Sequence, residues 1–210
     1  MPSRIIGALV VVSTLVGCSS GGSSDASQEE PAVSVTSLGA LGFDYTQGCY
    51  VVGFVFRAKS AVTIGHLGYY DSNLHGKADT FGTHDVGVYD LSTHTLLVST
   101  TVAASDPATG WFRYKALASP LALNTTDTYA VVGITGASYY TVGITATEAP
   151  VSGHLTYVSG AGYSTTQTSN DPTPTSALVE PNAFDAGNIF GTPTPGDVIA
   201  NFGPNFTFAP

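Results

Sequence analysis

The sequence predicts an all-β protein, a single antiparallel β-sandwich of jelly-roll-like form, on three observations. Apolar residues recur with period two, and no stretch carries them at i, i+3, i+4 and i+7 for the length of an amphipathic helix. Thr, Val, Tyr and Gly are abundant while charged residues make up only 10% of the chain. Turn-forming groups, Ser105-Asp106-Pro107, Ser119-Pro120 and Ser152-Gly153 among them, separate the alternating runs. Roughly eight to ten short strands spaced in this way favour a sandwich or jelly roll.

In chain order, residues 1–17 come first and read as a targeting segment. Arg4 is their only charged residue, and the apolar run that follows ends in Gly17, Cys18 and a Ser/Gly stretch. That run is shorter than the roughly 20 apolar residues a membrane-spanning helix needs, so a cleaved signal peptide is expected. Leu15-Val16-Gly17-Cys18 resembles the lipobox of bacterial lipoproteins. The resemblance implies lipidation of Cys18, removal of residues 1–17 and acylation of the new amino terminus, which together give stable membrane anchoring. Ser19 in the second position implies sorting to the outer membrane in a cell that has two. With Cys18 lipidated, Cys49 has no partner for a disulfide, and its place beside Tyr50 predicts a small buried core residue.

Residues 18–32 read as a lipid-anchored flexible linker, with Gly, Ser, Asp25, Glu29, Glu30 and Pro31 and little apolar surface to order them. Residues 33–210 form the sandwich domain. The run Val51-Val52-Gly53-Phe54-Val55-Phe56 places Phe54 and Phe56 on one face, and Val62-Thr63-Ile64-Gly65-His66-Leu67 alternates before Tyr69-Tyr70-Asp71. Further strands are expected over residues 86–89, 96–102, 111–114, 128–134, 139–144, 154–158 and 205–208. In each of the pairs Tyr69-Tyr70 and Tyr139-Tyr140 one ring should point inward and one outward. The Pro-rich residues 171–195 predict a long surface loop.

Gly53-Phe54-Val55-Phe56, Val62 to Asp71 and His84-Asp85-Val86-Gly87-Val88-Tyr89-Asp90, with Leu96-Leu97, Phe112-Arg113-Tyr114, Leu117, Pro120 and Thr128-Tyr129, resemble the bacterial domain family of unassigned function DUF4082. Asn201-Phe202-Gly203-Pro204-Asn205-Phe206 is similar to closing strands of secreted domains of this kind. The resemblance implies an extracellular β-sandwich, a module often found in cell-surface and carbohydrate-related proteins. It implies no reaction. The loop with Asn73, His75, Lys77 and Asp79 departs from the more Gly-rich, acidic connection expected at that place.

Charge narrows the partners. The chain carries a formal −9, and loss of Arg4 takes it to −10, which disfavours nucleic acid and anionic lipid surfaces and leaves the lipid anchor as the membrane contact. No G-x-S-x-G elbow, phosphate loop or C-x-x-C is present, so no enzyme activity is expected and no catalytic residue is assigned. His66, His75, His84 and His94 lack the spacing of a metal motif, and the strand positions of His66 and His84 predict hydrogen-bonded structural histidines. Asp71, Asn73 and Asp79 are the candidate oxygen ligands for a structural calcium, against ordinary Asx turns. No other cofactor is expected.

A sandwich recognises sugars through exposed aromatic faces flanked by amides and carboxylates. Tyr70, Asp71, Asn73, His75 and Trp111 are the candidate ligand-binding residues. They belong to loops and strand ends, with Trp111 outward if Phe112 and Tyr114 share the buried face. The expectation is a cell-surface lipoprotein binding an extracellular glycan or envelope polysaccharide; the alternative is a structural or adhesive surface protein with no small-ligand site.

Overall fold

The computed structural model describes residues 29–35, 43–45, 49–76, 81–135, 140–142, 150–163, 175–184 and 203–210. These contain twelve strands: β1 (Phe43–Tyr45), β2 (Val51–Ala58), β3 (Val62–Tyr70), β4 (Thr83–Asp90), β5 (Thr95–Ala103), β6 (Ala108–Thr109), β7 (Phe112–Leu123), β8 (Tyr129–Ile134), β9 (Tyr140–Val142), β10 (Leu155–Gly162), β11 (Asn182–Phe184) and β12 (Pro204–Phe208). One 3-10 turn spans Ser72–His75, and the described residues hold no α-helix. Cys18, Lys77 and Asp79 lie outside them, as do the expected signal segment and most of the expected linker.

All strand pairs are antiparallel. A six-stranded sheet runs β11-β10-β2-β8-β4-β5 and a four-stranded sheet β12-β3-β7-β6, and the two pack together as a sandwich; β1 and β9 form a separate pair. The centre of the larger sheet explains its sequence. Phe54 pairs with Val131 and Phe56 with Tyr129, and these side chains join the main core between the sheets. The intervening Val51, Val55, Ala130, Val132 and Ile134 form a second cluster on the opposite face, covered by Leu178 and Val179. A strand buried on both faces reads as a nearly continuous apolar run, as β2 and β8 do.

The smaller sheet contributes Ile64, Leu67 and Phe206 to the inner layer, where the Phe206 ring lies 5.0 Å from Phe56. Tyr69 stacks on His84 at 3.7 Å between centroids and 3° between planes. The register pairs Tyr70 with Phe112 and Gly68 with Tyr114, so these aromatics sit on the other face of β3 and β7. They are buried there too. Tyr69 and Tyr70 therefore do not divide into one buried and one exposed ring as alternation predicts: both are fully buried, because the outer face of the smaller sheet has its own cover.

Part of that cover is the segment 29–35. The Ala32 amide donates to Phe206 O at 2.7 Å and the Phe208 amide to Glu30 O at 3.0 Å, while the Ser34 amide donates to Pro150 O at 3.1 Å and the Ser152 amide to Ala32 O at 2.9 Å. The segment thus bridges β12 of one sheet and the chain entering β10 of the other. The described end of the expected linker, residues 29–32, is docked on the domain by main-chain hydrogen bonds, which composition does not encode.

Three local expectations are corrected. Ser119-Pro120 is not a turn between strands but lies within β7, where residues 117–120 stand opposite Gly65 alone before pairing resumes at Ile64 and Leu121. A proline, having no N–H, is accommodated where the ladder is interrupted. Cys49 is exposed, since it precedes the first residue of β2. Residues 171–195 are not only a surface loop: Leu178 and Val179 pack on the larger sheet and β11 pairs with β10.

Candidate functional site

The five candidate ligand-binding residues meet at one corner of the smaller sheet. β3 ends at Tyr70, and Asp71 caps the following 3-10 turn by accepting from the Asn73 amide at 3.0 Å; Gly76 closes the turn with φ of 93°, a conformation glycine adopts without strain. The Asp71 amide donates to Trp111 O at 2.9 Å, tying this turn to the one between β6 and β7. The Tyr70 hydroxyl and His75 Nε2 are hydrogen-bonded, and the His75 ring stacks on Trp111 at 4.6 Å and 29°. Trp111 precedes the first residue of β7, so strand alternation does not govern it; its ring meets Tyr70 edge-on at 6.5 Å. Tyr70 and Asp71 are buried, His75 and Trp111 half-buried, and Asn73 exposed.

Asp71 is engaged inside the protein. Its side chain is wholly buried, Oδ2 accepts from Arg113 Nε at 2.6 Å, and Oδ1 accepts from Asn73 Nδ2 at 2.9 Å as well as from the Asn73 amide. Arg113 also donates to Asp106 O at 3.1 Å and lies over the Phe81 ring. The sequence offers Asp71 as a candidate calcium ligand; the fold surrounds its carboxylate with donors from Arg113 and Asn73. Asp79, the other carboxylate of that set, lies outside the described residues. Among the described residues no three His, Cys, Asp or Glu side chains are grouped to hold a metal ion.

The histidines are dispersed. His84 is buried between the sheets, with Nδ1 at 2.9 Å from Ile134 O, and is a structural, hydrogen-bonded residue. His94 faces Glu180 at 2.6 Å at the β4–β5 turn. His66 lies on the outer face of the smaller sheet, where Nδ1 meets Glu29 Oε2 at 2.5 Å and Thr207 Oγ1 donates to the same oxygen at 2.5 Å.

That last group borders a cleft of about 700 Å³ that sequence reasoning did not find. Glu29, His66 and Thr207 line one part of it and Asp106, Lys115 and Thr109 another, with Tyr114 and Ala116 between. Lys115 Nζ lies 3.0 Å from Asp106 Oδ1 and remains half-exposed. No local motif marks the cleft, because Glu29 and Thr207 are 178 positions apart. Burial pushes the Tyr114 phenol far above its usual range, so it stays protonated and can accept from Asn205 Nδ2 at 3.0 Å. Comparison with protein-family models, with curated proteins and with solved structures found no match, so the reading of both places rests on their geometry and chemistry.

Proposed function

We propose that the protein is a lipid-anchored envelope lipoprotein whose sandwich binds an extracellular glycan at the Trp111 corner. The observation that carries this reading is the stacked, half-exposed His75 and Trp111 pair with Asn73 beside it. Aromatic faces stack on the C–H faces of sugar rings, and an exposed amide both donates to and accepts from hydroxyls. The buried Asp71–Arg113 pair and the Tyr70–His75 hydrogen bond fix the platform before a ligand arrives, which lowers the ordering cost of binding. Anchoring through Cys18 places the domain on the extracytoplasmic side of a membrane, among envelope polysaccharides.

The test is a glycan array probed with the purified chain, with and without calcium. Saturable binding that falls at least tenfold in Trp111→Ala is the expected result, with no response to calcium while the Asp71 carboxylate stays engaged by Arg113 and Asn73. A blank array from a folded chain favours the second reading, a structural surface protein whose Asp71–Arg113 corner serves packing only.

A further inference from the structure

The cleft and the Trp111 corner share one structural element. Trp111 occupies the turn between β6 and β7, and the strand on the near side of that turn, with Pro107 before it and Thr109 at its end, lines the cleft. Thr109, which lines the cleft, is two positions from Trp111 and pairs with Phe112, the first residue of β7. We propose that the ligand is a linear, uncharged oligosaccharide that begins at Trp111 and His75 and continues into the cleft between His66 and Lys115. The inference rests on the glycan reading and extends it from a single ring to a chain.

The groups lining the cleft support this ligand chemistry. Each cationic or basic group is already matched: Lys115 with Asp106 at 3.0 Å and His66 with Glu29 at 2.5 Å. No unmatched cation remains to hold an anionic ligand, and the chain's formal −9 repels a polyanion. Hydrogen-bonding capacity does remain. An ammonium has three donors, of which one is directed to Asp106, and the exposed Thr109 hydroxyl donates and accepts. Neutral hydroxyls suit such mixed groups, while Ala116, Pro107 and the edge of Tyr114 offer apolar surface to C–H groups. A volume of about 700 Å³ lies within the range of small-ligand pockets and leaves space for more than one sugar ring.

The experiment is calorimetric titration of the purified chain with cello-oligosaccharides and chito-oligosaccharides of one to six units. Affinity is expected to rise at least tenfold between the disaccharide and the tetrasaccharide of the series that binds. Lys115→Gln should abolish that gain with length. Thr109→Trp, which fills the cleft from an exposed position, should abolish it without disturbing the His66–Glu29 contact, and a thermal melt of each variant confirms that it is folded. Affinity independent of length, or a length dependence that survives both substitutions, overturns the extended site while leaving the Trp111 corner intact. If no member of either series binds the folded chain, the glycan reading and its extension both fall.

Discussion

Asn205 shows how much one side chain holds here. It is fully buried; its Oδ1 accepts from the Val33 amide at 3.2 Å and the Phe206 amide at 2.9 Å, and its Nδ2 donates to Val33 O at 2.7 Å and to the Tyr114 hydroxyl. Asn205→Ala strands several of these buried groups at once and should cost about 2 to 3 kcal/mol, read as a lower urea midpoint at unchanged slope. Gly68 is as restricted for a different reason. A Cβ there would lie 2.5 Å from the Tyr114 ring and 2.9 Å from Arg113 O, so Gly68→Ala should displace that ring and destabilise by about 1 to 3 kcal/mol in the same assay. The tyrosines also set an alkaline limit. Desolvation raises the phenols of Tyr114, Tyr89 and Tyr129, with Glu180 adding to the effect at Tyr89, and Asp127 and Asp90 at Tyr129 against a lowering hydrogen bond from the Asn124 amide. The unfolded chain releases these protons near pH 10 and the folded chain only above it, so their contribution is intact below about pH 10 and is lost as pH rises further. Denaturation midpoints measured from pH 8 to 11.5 should fall above about pH 10, and less steeply in Tyr114→Phe; a flat profile would contradict the burial argument.

At the scale of elements, the two open sides of the sandwich are treated differently. On the β12 side the 29–35 segment joins the sheets through main-chain bonds. On the other side β5, which among the described residues is an edge strand pairing only with β4, contains no charged residue and exposes Leu96 and Leu97. Such an edge presents unpaired main-chain groups and favours edge-to-edge association. Leu97→Lys should slow thermal aggregation, followed by light scattering, while changing the unfolding free energy by no more than about the 0.5 kcal/mol typical of surface substitutions. The strand runs of β2, β3, β4, β5, β8 and β12 are legible in the sequence because period two, or a continuous apolar run, reports burial directly. β6, β11 and the interruption in β7 are not. Two- and three-residue strands carry too few residues for periodicity, and Pro120 signals a break without saying whether the chain turns there or continues.

At the scale of the whole molecule, the proposed lipid anchor would supply location and the sandwich the proposed recognition. Cys18→Ser should move the protein from the membrane fraction to the soluble fraction on centrifugation of a lysate, since no acyl chain would remain to hold it. The candidate corner was partly legible. Trp111, His75, Asn73 and Tyr70 could be gathered from strand ends and loop chemistry, because binding groups on a rigid sandwich concentrate there. The engagement of Asp71 by Arg113 could not, since it depends on how β3 and β7 pair. The sequence by itself determined the fold class, the central strands and the acidic, sparsely charged character, all of which follow from local alternation and composition. Only the tertiary structure decided that Tyr69 and Tyr70 are both buried, that Cys49 is exposed, and that Glu29, His66, Thr207 and Lys115 share one cleft. These outcomes are set by sheet register and by contacts between distant segments, which no local pattern records.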